Sequence, residues 1–139
     1  VDRKVAITRE AIDAGRCISS VQRPAAGGVN VFLGTVRNST HRKAVLRLEY
    51  EAYEPMAVAE INRILDEAGR RYGLLAACVV HRVGVLLPGE TAVAVAVSTS
   101  HRRESFGACQ FIIDSLKESV PIWKKEVFED GEVWVSAHP

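Results

Sequence analysis

The period of the apolar positions changes along the chain, and each change predicts an element. Residues 91–97, TAVAVAV, are apolar almost without interruption, which predicts a strand covered on both faces. Residues 45–51, VLRLEYE, alternate instead: Leu46, Leu48 and Tyr50 on one face, Arg47, Glu49 and Glu51 on the other. Between them Ala57, Ile61, Ile64, Leu65, Ala68 and Tyr72 recur at helical spacing through about residue 71, with Pro55 suited to the first turn. A second long helix is predicted over 104–119, where Pro121 prevents its continuation.

Weaker signals fill the gaps. Residues 4–8 read as a short edge strand. Residues 9–21 read as a helix capped by Thr8, with Glu10 and Asp13 near its start. QRPAAGG at 22–28 is a turn, VNVFLGTV at 29–36 a strand, and RNSTHRKA at 37–44 a polar loop. Leu74 to Val80 is a strand ending at His81-Arg82, Pro88-Gly89 marks a turn, and Gly131 marks another before a last short strand at Val133 to Val135. The order, roughly βαββαββαβ, predicts one α/β or α+β domain over residues 1–139.

Composition narrows the function. Eighteen Lys and Arg against seventeen Asp and Glu leave a net charge of +1, with both signs mixed throughout. A broad nucleic-acid or membrane surface needs an excess of basic residues, so neither partner is expected. No apolar stretch approaches a membrane span, and VDRKVAITREAI has no apolar core after its charges, so no signal peptide is expected. The chain opens on Val1 rather than Met, which leaves room for residues ahead of it. Cys17, Cys78 and Cys109 are odd in number, widely spaced and without a CxxC. They predict no zinc site and no disulfide framework, but small buried side chains in a reducing, cytoplasmic setting.

Candidate chemistry concentrates between Ser98 and Lys125, STSHRRESFGACQFIIDSLKESVPIWKK. At helical spacing Phe106, Cys109, Gln110, Ile113, Leu116 and Lys117 share one broad face. Lys117 there is either a rim lysine lying over apolar surface, or a partly desolvated amine fit for proton transfer or nucleophilic attack. Lys124 and Lys125 point opposite ways in an extended segment, so one can face a pocket while the other faces water. If the chain turns back at Pro121, Lys124 approaches Lys117, and a nearby amine lowers its pKa. The alternative is an exposed, solvated KKE run. His101 and Arg102 end an apolar strand where ligands often bind, and Arg offers a planar fork for phosphate. The alternative is a structural cap paired with Glu104. His81-Arg82 stands at a similar strand end, beside residues that read as core and turn. Arg37 closes the strand that holds Phe32, by default a core residue, and Gly34, which permits close backbone approach. Phosphate-loop, dinucleotide, zinc-protease and serine-elbow motifs are absent from the sequence.

The segments FLGTVRN (32–38), LEYEAYEPMA (48–57), HRVGVLLPGE (81–90), SHRRESFGACQFIIDSLK (100–117) and VPIWKKE (120–126) closely resemble the catalytic, large subunit of molybdopterin synthase, in the right order and over about Val29 to Val135. The resemblance implies an α+β fold, α/β hammerhead-like, with an additional antiparallel sheet region. It implies a central homodimer with a small ubiquitin-like sulfur-carrier subunit at each end. That partner's C-terminal Gly-Gly thiocarboxylate enters a pocket and gives sulfur to cyclic pyranopterin monophosphate, and two transfers make the molybdopterin dithiolene. No cofactor or metal is implied.

By the same resemblance Lys117 matches an essential lysine near the thiocarboxylate and Lys124 a second pocket lysine. Arg37, His101 and Arg102 match substrate- or phosphate-binding residues, the last two reaching in from the neighbouring subunit. Phe32 and Ile113 match the wall of the tail pocket, where some relatives have methionine in place of Ile113. The chain departs from the pattern at 38–44, NSTHRKA, which lacks a glycine that relatives often carry, and at His138, near a terminal arginine of some relatives. Two other classes compete with this reading. One is a lyase or isomerase for a phosphorylated metabolite that uses Lys117 as base or Schiff-base amine. The other is a module that docks a ubiquitin-like tail without chemistry.

Overall fold

A computed structural model describes residues 1–136. Its elements, in order, are β1 (Asp2–Thr8), α1 (Ala14–Val21), β2 (Gly28–Thr35), β3 (Ser39–Thr40), β4 (Lys43–Ala52), α2 (Glu54–Tyr72), β5 (Leu74–Arg82), β6 (Gly84–Leu86), β7 (Thr91–Thr99), α3 (Arg102–Ser119), β8 (Ile122–Phe128) and β9 (Gly131–Ser136). The class is α+β and hammerhead-like, with an added antiparallel sheet. A four-stranded sheet runs β1-β5-β7-β2, with β1 parallel to β5 and the other pairs antiparallel. The second sheet runs β3-β4-β8-β9, and β6 also pairs with β4.

Alternation along β5 and β7 divides the core. Ala77, Val79, Val93, Val95 and Val97 face α2 and α3 and pack with Ile61, Ile64, Leu65 and Ile112, all buried. Ala76, Cys78, Ala94 and Ala96 face the other way, onto Cys17 and Val21 of α1. Small residues on that second face let a helix of only 8 residues sit close. The doubly covered strand expected at 91–97 is therefore present, and its burial continues to Thr99. Each large aliphatic side chain buried here contributes roughly 1.5–3 kcal/mol relative to exposure.

Four expectations need correction. The first helix starts at Ala14, not residue 9, and its cap is Asp13, whose carboxylate accepts from the Arg16 N–H at 3.1 Å. Thr8 instead accepts from the Glu10 N–H at 3.0 Å, closing a turn after β1. Leu46 does not share a face with Leu48 and Tyr50. A register irregularity between Val45 and Arg47 turns Val45 inward and leaves Leu46 44% exposed. The polar loop 37–44 is largely a tight hairpin, with His41 and Arg42 both left-handed at φ 50° and 67°. Along α3 the buried stripe is Ser105, Ala108, Cys109, Ile112 and Leu116, while Phe106 and Gln110 are exposed.

Candidate active site

The junction between α3 and β8 builds the site. Val120 ends the helix in extended conformation and its N–H donates to the Leu116 carbonyl at 3.3 Å. Pro121 then turns the chain, and its carbonyl accepts from the Tyr53 N–H at 3.2 Å, tying the corner to the start of α2. The strand that follows lies beside β4, with Lys124 opposite Tyr50 and Glu126 opposite Leu48. Lys117, in the last turn of α3, and Lys124 therefore border one cavity of about 650 Å³. Arg37, Phe32 and Ile113 line the same cavity. The return at Pro121 and the meeting of the two lysines are as the sequence suggests.

Strand alternation separates the lysine pair. Lys125 lies on the opposite face of β8, 3.4 Å from Glu49 and 3.6 Å from Glu132, with its ammonium 5.2 Å from the centre of the Trp134 ring. It is a partly buried lysine held by two carboxylates, so the solvated KKE reading fails for both residues. Lys124 is half-buried. Burial lowers its pKa, Lys117 and Arg37 push the same way, and Glu126 opposes them. Lys117 itself is exposed.

Arg37 is held from behind. The Val36 N–H donates to the Glu90 carbonyl at 2.9 Å and the Gly89 N–H to the Val36 carbonyl at 2.8 Å. Glu90 accepts from Arg82 at 2.8 Å and from the Leu87 N–H at 2.7 Å. Arg82 is thus a brace, while its neighbour His81 lines the cavity. Sequence reasoning set His81 aside as part of a core-and-turn segment. It continues the buried row Ala77, Val79 on the helix-facing side of β5, a spacing that does mark it. The His81 Nδ1 lies 2.8 Å from the Arg82 carbonyl, and the Tyr50 ring meets the imidazole edge-on at 5.2 Å. Burial takes the His81 pKa down to about 4, against the favourable bond to Arg82, and takes the Tyr50 phenol up to about 12, with Glu126 adding to it. Tyr50, His81, Glu126 and His41 are titratable residues of the cavity that the sequence does not single out as site residues.

Gly34 shapes the wall. A Cβ there would stand 2.7 Å from Val93 Cγ1 and 3.3 Å from Phe32 Cε2, so any side chain would push into the cavity's floor. The close approach expected here of another backbone is instead one of side chains; backbone comes close at Gly27 and Gly28, against Ser100 and Arg102.

His101 and Arg102 are elsewhere. They stand at the opposite end of α3, exposed and outside the cavity. At the ordinary helical rise, roughly 22 Å separates Arg102 from Lys117. Their backbone is fixed: Thr99 donates to the His101 carbonyl and Ser105 to the Arg102 carbonyl, each at 2.6 Å. A Cβ on Gly28 would come within 2.8 Å of Arg102 Cα, so β2 packs directly on the helix start. Glu104 forms no ion pair with either cation among the described residues, and one of its carboxylate oxygens is buried without a partner. The salt-bridged cap is not what this segment makes. His138 lies outside the described residues.

Chemically, the cavity offers cations for an anion, one desolvated amine for proton transfer, and apolar walls. The described residues hold no cluster of His, Cys, Asp or Glu suited to a metal ion. Cys109 is buried, its pKa pushed up to about 11 by desolvation, which disfavours the thiolate a nucleophile needs. No helix among the described residues is long and apolar enough to cross a membrane.

Comparison with known proteins joins this geometry to a chemistry. Residues 7–119 match the family model described as MoaE protein. The chain is 45% identical over 129 residues to the molybdopterin synthase catalytic subunit of Bacillus subtilis, covering 93% of this chain and 82% of that one. It is 43% identical over 131 residues to the protein of the same name from Thermoplasma volcanium, covering 94% and 96%. The crystal structure of molybdopterin synthase from Staphylococcus aureus superposes with a TM-score of 0.89 at 39% identity, covering 93% and 94%.

Proposed function

We propose a site assignment from one premise: this chain belongs to the MoaE protein family, the catalytic subunits of molybdopterin synthase, an enzyme that acts with a small sulfur-carrier subunit to form the molybdopterin dithiolene. The cavity between α3 and β8 receives the carrier's C-terminal thiocarboxylate and the substrate, cyclic pyranopterin monophosphate. The observation that carries this assignment is the convergence of Lys117, Lys124 and Arg37 on one partly apolar cavity.

The thiocarboxylate sulfur attacks an oxygen-bearing carbon of the substrate. The new carbon–sulfur bond forms as a carbon–oxygen bond of the substrate breaks, the oxygen leaves protonated as water, and the carrier's acyl group remains on sulfur. Water then adds to that acyl carbon and the carbon–sulfur bond to the carrier breaks. Sulfur stays on the substrate and the carrier leaves as a carboxylate. Lys117 holds the tail and stabilises the oxyanion that forms when water adds. Lys124, whose proton burial loosens, moves protons to and from the reacting ring. Arg37 binds the substrate's phosphate through its planar fork. Phe32 and Ile113 form the wall along which the tail enters.

The site takes its remaining phosphate donors from a second copy of the chain. His101 and Arg102 lie too far from Lys117 to serve the same cavity within one chain, yet their backbone carbonyls are held by Thr99 and Ser105 and their side chains are exposed, without a hydrogen-bond or ion-pair partner among the described residues. The unpaired edge strand β2 carries Val29, Val31 and Leu33, at 42%, 38% and 37% exposure, as an apolar row for such a contact. The three free, buried cysteines suit a reducing cytoplasm.

The assignment is tested by product formation. Purified chain, precursor and thiocarboxylated carrier should give the dithiolene, and Lys117→Ala should lose at least about a hundredfold in turnover while still binding the carrier. Near-native turnover by Lys117→Ala would remove it from the centre. Carrier binding without product from the native chain would favour a docking module.

A further inference from the structure

Among the cavity's polar groups His81 stands apart. It is 8% exposed, at the end of β5, within a wall of valine, alanine and aromatic side chains. A carbonyl oxygen can only accept, so the 2.8 Å contact with Arg82 assigns the ring hydrogen to Nδ1. With the ring neutral, Nε2 carries a lone pair and no hydrogen. That atom has no hydrogen-bond partner among the described residues. It is also not among the buried polar atoms shut off from solvent, so it opens on the cavity. Once a ligand fills the cavity and displaces water, that acceptor is left bare at a cost unless the ligand supplies a donor.

Position selects the donor. His81 pairs with Val93 across β5 and β7, and Val93 pairs with Gly34 across β7 and β2. The three therefore stand in one row on the cavity floor, spanning about 10 Å. The row is an imidazole at one end, a low aliphatic side chain in the middle and a missing side chain at the other end. Such a floor admits a polypeptide backbone lying close against it, and the glycine end would be filled by any Cβ. Lys117, Lys124 and Arg37 answer the carboxylate and carbonyl oxygens of an entering tail, but none can accept from its amides. Those N–H groups lose water on entry and need an acceptor.

We infer that His81 Nε2 accepts a hydrogen bond from a backbone amide N–H in the last two residues of the carrier's C-terminal tail. The inference rests on the reading of the cavity as the tail's pocket. It makes His81 a binding residue for the tail rather than for the pterin.

The test removes the donor without touching the protein. The carrier is prepared by ligation with its final Gly-Gly segment carrying an ester in place of one backbone amide or the other, and binding to the full chain is measured by calorimetry. One ester form should bind about three- to tenfold more weakly than the amide form. On His81→Phe, which keeps a ring against Tyr50, that difference should vanish. A measurement on the native chain needs no variant: nitrogen NMR of the labelled imidazole should show unprotonated Nε2 moving upfield on binding the amide carrier and not on binding the sensitive ester. Equal binding of all three carriers, an ester penalty unchanged in His81→Phe, or a raised KM for the pterin with carrier affinity unchanged would each overturn the inference. If the amide carrier itself fails to bind, the pocket reading falls first. If it binds and the esters lose nothing, only the role of His81 falls.

Discussion

The two ends of α3 carry cations on different terms. At the C-terminal end Lys117 faces Lys124 and Arg37 around a cavity whose floor buries a neutral histidine and whose rim includes a left-handed histidine. At the N-terminal end His101, Arg102 and Arg103 are exposed on a backbone pinned by Thr99, Ser105 and close glycine packing. The first end accepts desolvation of Lys124 and His81 and backbone strain at its rim, while Lys117 and Arg37 stay exposed at the mouth. The second holds only its backbone and leaves the charges in water. A complete site facing inward needs the first arrangement. Residues that act on another molecule's cavity suit the second.

The largest effect expected of this contrast is complementation. Lys117→Ala and Arg102→Ala should each be nearly inactive. On the proposed sharing of sites between copies, co-expression should give mixed dimers in which one site draws a native Lys117 from one copy and a native Arg102 from the other. Turnover should return to about a quarter of native if pairing is random. A mixture as inactive as its parents would show that the two ends of α3 do not serve a shared site.

Next is acid stability. His81 is held near pKa 4 by burial, below its ordinary 6.5. As pH falls the unfolded chain takes up this proton first, so the stability is whole above about pH 6.5 and is lost as pH falls toward 4. The full loss is on the order of 3 kcal/mol. His81→Phe should flatten that part of the denaturation-against-pH curve, whereas His101→Phe, at the exposed end, should leave it unchanged. Equal slopes in native chain and His81→Phe would mean the cavity end carries no such burden.

Much of this was legible beforehand, for reasons specific to each segment. The helical period at Ala57–Tyr72 and the unbroken apolar run at 91–97 are strong because burial is one-sided in the first and two-sided in the second. The segment IWKKEVF was read as extended but not as a full strand. Its pattern is obscured by adjacent lysines that serve opposite faces, one in the cavity and one in ion pairs. The register irregularity that exposes Leu46 comes from pairing with residues far along the chain, which no local period contains. The cationic site residues stand out by spacing and position, each beside a structural alternative, and the resemblance decides between the two readings. Tyr50 and His81 did not, because each sits at a position that alternation alone assigns to the core. Only the meeting of β4 with β8 and of β5 with β7 shows that a cavity lies there.

The smallest effect lies at the cavity's rim and bears on the cost of building it. His41 and Arg42 form the tip of the β3–β4 hairpin with φ of 50° and 67°, the geometry that favours glycine or asparagine. Side chains in that region cost roughly 1 kcal/mol each. The resemblance implies a glycine in this loop, and the chain has none between Asn38 and Ala44. Arg42 is exposed and does not line the cavity, so its replacement probes the backbone alone. Arg42→Gly should raise unfolding free energy by about 0.5–1 kcal/mol, because relief of left-handed strain outweighs the greater freedom glycine gives the unfolded chain. Arg102→Gly, in the first turn of α3 at the unstrained end, should lower it by a similar amount. If Arg42→Gly is neutral or destabilising, the hairpin tip stores no strain, and the contrast between the two ends then rests on desolvation alone.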